Sequence, residues 1–321
     1  MADSSLEAEL PEALDGQRID RVVAMLAEVS RSTAAGLISS GRVLLDGVPA
    51  ERPSLKVAAG AHLVVHLEAP VNDLVGDESI ELHVVHDDDQ VVVVDKQAGL
   101  VVHPGSGVRH GTMVHALLAR YPELIEVGPA ERPGIVHRLD KGTSGLVMVA
   151  RTAEAHRSLT DQLKARTVER RYRTLVWGSV EAERGVIDAP LGRSPRHAIR
   201  RAVVASGRPA RTYYEVVARH EVLAGAGLAA NVFTELTCRL ETGRTHQIRA
   251  HLLAIGHPVL GDASYGGSAE GTGLTLPGRP FLHAEVLGFD RPVSGERLRF
   301  TSPLPVELAA VLSQLRAGRP G

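Results

Sequence analysis

The chain has 321 residues, 44% of them hydrophobic and 23% charged, with a formal net charge of −2. That is the composition of an ordinary globular protein with room for one large domain and a small one. No apolar run reaches the roughly 18–20 residues that span a bilayer, and the first residues lack a signal peptide's basic start and apolar stretch, so a cytoplasmic address is expected.

The near-neutral total hides a strong segregation of charge. Residues 1–20 carry six acidic residues and one basic, and residues 68–90 carry eight acidic residues and no Lys or Arg. Residues 164–211 carry twelve Lys and Arg against four acidic residues, enough to hold phosphates locally despite the overall balance.

Residues 1–16 are acidic, include Pro11 and read as a disordered tail. A small α+β unit is expected over 17–67. Ile19, Val22, Val23 and Leu26 fall at i, i+3, i+4 and i+7, the apolar stripe of a helix. Ser30 suits the N-cap of a second helix carrying Ala34, Leu37 and Ile38, which Gly41 can end. Val43-Leu44-Leu45 reads as a strand, Asp46-Gly47 as a hairpin turn, and Leu63-Val64-Val65-His66-Leu67 as a further alternating strand. In its details the unit resembles the S4 RNA-binding fold, through Arg18-Ile19-Asp20, Ser30-Arg31-Ser32 and Gly41-Arg42-Val43-Leu44-Leu45-Asp46-Gly47. The resemblance implies that Arg31 and Arg42 face RNA.

Residues 68–79 read as a linker and 80–316 as the larger domain. Val91 to Val94, Leu146 to Val149, Tyr172 to Trp177 and Phe233 to Leu240 are strand-like. A helix is expected from Thr152 to about Arg166, with Ala155, Leu159 and Leu163 inward. Strands and helices without a strict βαβ rhythm predict an α+β fold with a mixed, mainly antiparallel sheet. Cys238, the single cysteine, excludes an internal disulfide and reads as a buried thiol within its strand. The tail over 316–321 is expected to fray.

Four stretches place polar residues inside apolar surroundings. They are Asp95 to Gly105, Gly134 to Leu146, Arg170-Arg171-Tyr172, and Glu241 to His251. Asp140 ends a short apolar run and precedes a loop with two glycines and two hydroxyl residues, so the sheet fixes it while a ligand can reach it. Arg249 lies on a helix that Thr245 can cap and Gly256 can end. Brought together, the pair would keep the carboxylate ionised and fix its oxygens, as either a structural ion pair or a catalytic site. His246 and His251 are five residues apart, not the four that set two metal ligands on one helical face, and no phosphate-binding glycine loop is present. Neither a metal nor a nucleotide cofactor is expected.

Gly134-Ile135-Val136-His137-Arg138-Leu139-Asp140-Lys141, then Thr143-Ser144-Gly145-Leu146, together with Glu241-Thr242-Gly243-Arg244-Thr245-His246-Gln247-Ile248-Arg249, resemble the RluA-type RNA pseudouridine synthases. The similarity runs from about residue 18 to 315. It implies an S4-like domain followed by a pseudouridine synthase catalytic domain that isomerises uridine in RNA. By that resemblance Asp140 is the nucleophile, Tyr172 packs on the target ring and Arg249 pairs with the aspartate. A role for Arg138 in displacing the target base is implied by one relative. The basic stretch, with Arg193, Arg196, Arg200, Arg201, Arg208 and Arg211, is expected to hold phosphates. The members most similar to this chain imply a large-subunit ribosomal RNA substrate, free or in its assembling particle, and a monomer is expected. Where the family usually has Lys-Pro, this chain has Lys96-Gln97, which loosens a turn.

Overall fold

A computed structural model describes residues 4–29, 31–67, 74–105, 108–197, 199–222, 231–268 and 272–317. The chain divides into two compact units, Met1–Asp73 and Leu74–Gly321.

The first unit is built on the elements expected, with one addition. Helices α1 (Ile19–Leu26) and α2 (Arg31–Ser39) pack beside a sheet of β1 (Ser4–Glu9), β2 (Val43–Leu45), β3 (Val48–Pro49) and β4 (His62–Leu67), ordered β1-β4-β2-β3. The expected cap Ser30 lies outside the described residues. Asp46 and Gly47 both take positive φ, 53° and 79°, the two-residue turn that suits a hairpin's twist. The expected disordered tail over 1–16 is corrected by the structure over 4–16, residues 1–3 lying outside the described residues. Ser4 to Glu9 pair antiparallel with β4, and Leu10 and Leu14 are buried in the unit's core. The acidic residues there alternate with Leu6 and Ala8, so charge faces outward and apolar groups inward. Composition alone had hidden that alternation.

The second unit opens with Leu74 packed against the main core, so the expected linker over 68–79 is folded at its later end. Residues 68–73 lie outside the described residues. Then come β5 (His83–Asp87), β6 (Val91–Lys96), α3 (Met113–Arg120), β7 (Ser144–Ala150), α4 (Ala153–Ala165) and β8 (Glu169–Trp177). They are followed by β9 (Arg184–Asp188), β10 (Leu191–Arg193), β11 (Arg201–Val203), β12 (Arg211–Val222) and β13 (Asn231–Leu240). Last are α5 (Gln247–Ala254), β14 (Leu282–Asp290), β15 (Arg297–Thr301) and α6 (Val306–Ala317). Of the tail expected to fray, Arg316 and Ala317 belong to α6, and 318–321 lie outside the described residues.

The main sheet runs β5-β6-β7-β14-β8-β13-β12-β9, with β15 also on β14. Its pairings are antiparallel except the short parallel contact of β7 with β14. It is therefore the mixed, mainly antiparallel α+β sheet expected. All seven residues of β7 and the four valines of β6 are buried, the pattern of strands covered on both faces. At the parallel junction Gly145 pairs with Ala284 at φ +111°, and a Cβ there would stand 2.3 Å from the Ala284 carbonyl oxygen. Only glycine fits. Thr152 caps α4 by accepting the Ala155 N–H, and Arg166 ends it in the left-handed conformation, so this helix has the bounds its sequence predicts.

Candidate active site

Asp140 sits in the loop that leads into β7. Its carbonyl accepts the Thr143 N–H at 3.0 Å, closing the turn, and the Gly99 N–H donates to the Lys141 carbonyl at 2.7 Å. Beneath that loop Lys96 is fully buried. Its ammonium donates to the Gln97 and Leu100 carbonyls at 2.9 Å each and reaches the Lys141 carbonyl at 3.5 Å, so it ties the end of β6 to the Asp140 loop. His137 is held by accepting the Met148 N–H at 3.0 Å, and burial pushes its pKa down to about 3, which keeps it neutral.

Arg249 comes from the first turn of α5. One Nη donates to the Asp140 carboxylate at 3.3 Å. The rest of the guanidinium forks onto Asp262 at 2.5 and 2.9 Å, bonds Ser264 Oγ and lies over the Tyr265 ring, 4.7 Å from its centroid. Burial opposes its charge, but the Asp262 and Asp140 carboxylates outweigh burial and raise its pKa. Asp262 is 1% exposed, so it serves Arg249 from behind. The helix does not start as expected: His246, with φ 55°, stands at its N-terminus without a side-chain cap, and Thr245 does not cap it. Gln247 fixes the turn instead. Its amide accepts from Thr242 Oγ1 and the Arg244 N–H, and donates to the Arg211 carbonyl and Thr212 Oγ1. Gly256, at φ +86°, follows the helix end as expected.

Tyr172 projects from β8 into the same place, 6% exposed, and burial pushes its phenol above the ordinary range, so the hydroxyl keeps its proton at neutral pH. Asp140, Tyr172 and Arg249 thus line one cleft of about 300 Å³ with Leu139, Ile248 and Leu282 as apolar walls. His246 Nε2 stands 4.0 Å from Asp140, and its Nδ1 lies 2.9 Å from the Tyr265 hydroxyl. That hydroxyl accepts the Arg201 N–H at 2.7 Å, joining the β10–β11 hairpin to the cleft floor. Arg138 is exposed at the rim and hydrogen-bonded to His103 at 3.1 Å.

The basic residues separate into two kinds. Arg193, Arg196, Arg200, Arg201 and Arg208 belong to or flank the β10–β11 hairpin, and among the described residues none has an acidic partner. Arg211 is different: it pairs with Asp188 at 2.6 Å and Glu241 at 3.3 Å. In the first unit Arg31 pairs with Asp20 at 2.9 Å while remaining 60% exposed, and Arg42 is half-buried. Lys96, Asp262, Ser264 and Tyr265 were not among the expected site residues. Lys96 lay inside a stretch already singled out, whereas nothing in the spacing of Asp262, Ser264 and Tyr265 connects them to Arg249.

Burial pushes the Lys96 ammonium down to about 7, with the Asp140 charge opposing. Unfolded, it titrates near its ordinary 10.5, so between these values the unfolded chain holds the extra proton. Lys96 therefore adds stability as pH rises through that window. Lys96→Met should flatten the rise. Trp177, the only tryptophan, reports unfolding of this unit by fluorescence in urea at pH 7, 8 and 9. An unchanged slope would mean that folding does not desolvate the ammonium.

A carboxylate bonded by a buried arginine, beside a buried tyrosine and with Arg138 at the rim, is an arrangement that an enzyme acting on an anionic polymer can use. The chain belongs to the RNA pseudouridylate synthase family. That family's profile matches residues 90–254, and the S4 domain profile matches residues 17–63. The chain is 43% identical to "Ribosomal large subunit pseudouridine synthase D" of Nitrosomonas europaea, over 98% of this chain and 89% of that protein. It is 44% identical to an RNA pseudouridine synthase of Chloroflexus aurantiacus, over 97% of this chain and 95% of that one. Among solved structures it resembles "Human RNA Pseudouridylate Synthase Domain Containing 1", with a TM-score of 0.53 and 26% identity over 75% of this chain and 98% of that one.

Proposed function

We propose that this chain converts specific uridines of large-subunit ribosomal RNA to pseudouridine, with Asp140 as the reacting carboxylate. The observation that carries the reading is the Asp140 carboxylate, bonded by Arg249 at 3.3 Å in a cleft shared with Tyr172. Pseudouridine formation breaks the bond from ribose C1′ to uracil N1, turns the base and rejoins it through C5. No atom is gained or lost, so the reaction needs no redox or group-transfer cofactor. Asp140 acts either by attack on C1′ or by promoting elimination to a glycal. Arg249, anchored by Asp262, holds the carboxylate's oxygens in place by hydrogen bonding. Tyr172 is the surface on which the detached uracil turns. Leu139, Ile248 and Leu282 exclude the water that would end the reaction in hydrolysis.

A uridine within folded RNA reaches Asp140 only after flipping out of its stack. Arg138 at the rim is placed to take its position, and the hairpin arginines Arg193, Arg196, Arg200, Arg201 and Arg208 hold neighbouring phosphates. Arg211 contributes less than these, because Asp188 and Glu241 already neutralise it. In the S4 domain, Arg31 and Arg42 contact RNA, Arg31 by its exposed edge. The enzyme acts as a cytoplasmic monomer on ribosomal RNA or its assembling particle.

The names of the relatives support the substrate class. Incubating the purified protein separately with large-subunit, small-subunit and transfer RNA transcripts tests it. Mapping of pseudouridine should find modification at a few positions of the large-subunit RNA alone. Modification confined to either of the other two would assign a different substrate.

A further inference from the structure

Arg170 opens the Arg170-Arg171-Tyr172 stretch and has had no part in the chemistry so far. It lies on β8 two residues before Tyr172, hence on the same face of the sheet, and it lines the cleft with Tyr172, Leu240 and Gly243. It is 7% exposed. Its Nε has no hydrogen-bond partner, and one Nη reaches only the Glu241 carbonyl at a long 3.5 Å. Among the described residues no carboxylate pairs with it, whereas Arg249 across the cleft has two. Its neighbour His137 is neutral and supplies no counter-charge. Burial pulls the Arg170 guanidinium below its ordinary range. Space is kept for it at one point: a Cβ on Gly243 would stand 2.8 Å from its Nη1.

A buried cation with no partner is costly, and such a group is retained where a ligand completes it. The ligand must bring negative charge to a position beside the Tyr172 ring. Resting on the reading of this cleft as the isomerisation site, one species fits. When C1′–N1 breaks, the bonding pair stays with uracil, and the base becomes an anion with its charge spread over N1 and the carbonyl oxygens. Attack by Asp140 and elimination both leave that pair on the base. We propose that Arg170 is a further catalytic residue, donating N–H bonds to a carbonyl oxygen of the target uracil and stabilising the anion while the base is detached. Arg170 gives up no proton in this step. The base's charge returns to the Asp140 carboxylate when C5 bonds to C1′, and the C5 proton is then lost as N1 takes one up from solvent, so no net charge or proton is gained.

The test uses the full chain and an RNA that the wild type modifies. If the wild type releases no tritium from [5-³H]uridine RNA, the isomerase assignment fails first, and that is read before any variant is compared. Arg170→Gln should bind RNA within about twofold of wild type, with the same log–log salt slope, while its single-turnover rate falls by roughly 100-fold or more. Its melting temperature should stay level or rise, because an unpaired buried charge is gone. Arg170→Lys should lose less rate than Arg170→Gln. With 5-fluorouridine at the target, fluorine itself stabilises the uracil anion. The Arg170→Gln penalty on consumption of that nucleoside should then shrink to less than about tenfold.

Four results would overturn the proposal. Weakened binding with a salt slope lower by about one unit would place Arg170 on a phosphate. A lowered melting temperature that accounts for the lost rate would make it structural. An unchanged rate, or an equal penalty on both nucleosides, would remove it from the chemistry.

Discussion

Asp140→Asn is expected to abolish turnover, by about 10³-fold or more, while RNA affinity stays within about threefold of wild type. Asparagine keeps the shape of the side chain and loses the charge and the nucleophilic oxygen. The fold should tolerate the change, because Arg249 keeps its fork onto Asp262 and its bond to Ser264 after losing Asp140. Tritium release from [5-³H]uridine-labelled RNA measures the rate, and filter binding at fixed salt measures affinity. Retained turnover would exclude Asp140 as the reacting carboxylate. Lost affinity with lost turnover would make it a binding group instead.

Arg249→Gln is expected to damage both stability and activity. Asp262, buried at 1% exposure, would be left as an uncompensated carboxylate. Breaking a buried pair from one side costs about 3–5 kcal/mol, which urea denaturation followed by Trp177 fluorescence can resolve. The rate should fall by at least about 100-fold, since the Asp140 carboxylate loses the guanidinium that bonds it. Arg249→Lys keeps the charge but cannot fork onto Asp262 and reach Asp140 together, so it should be more stable than the glutamine variant and nearly as slow. Adding Asp262→Asn to Arg249→Gln should recover stability and leave the rate low. Wild-type stability in Arg249→Gln alone would show that the Asp262 pair is not holding this floor together.

Local signals explain which parts were readable from the sequence. Thr152 before an amphipathic run, Asp46-Gly47 between two strands, and four consecutive valines each depend on neighbours in the chain, and each forms the element it predicts. The pairing of Asp140 with Arg249 spans 109 residues and was suggested by motif resemblance, not by local pattern. Asp262 carries no local mark of its role, because its importance comes from where Arg249 points. Counting charges put Arg211 with the hairpin arginines, but ion pairing is a tertiary property, and Asp188 opposite it in the β9–β12 register binds it. The same limit applied to the acidic N-terminus, where counting charges concealed a strand.

Pseudouridine formation in large-subunit ribosomal RNA is the work proposed for the Asp140 cleft. Pseudouridine mapping of total RNA from a strain lacking this protein, complemented with either the wild type or Asp140→Asn, tests it most directly. A small set of large-subunit positions should lose pseudouridine in the deletion strain, regain it with the wild type and stay unmodified with the variant. Restoration by Asp140→Asn, or an unchanged large-subunit map in the deletion strain, would contradict it.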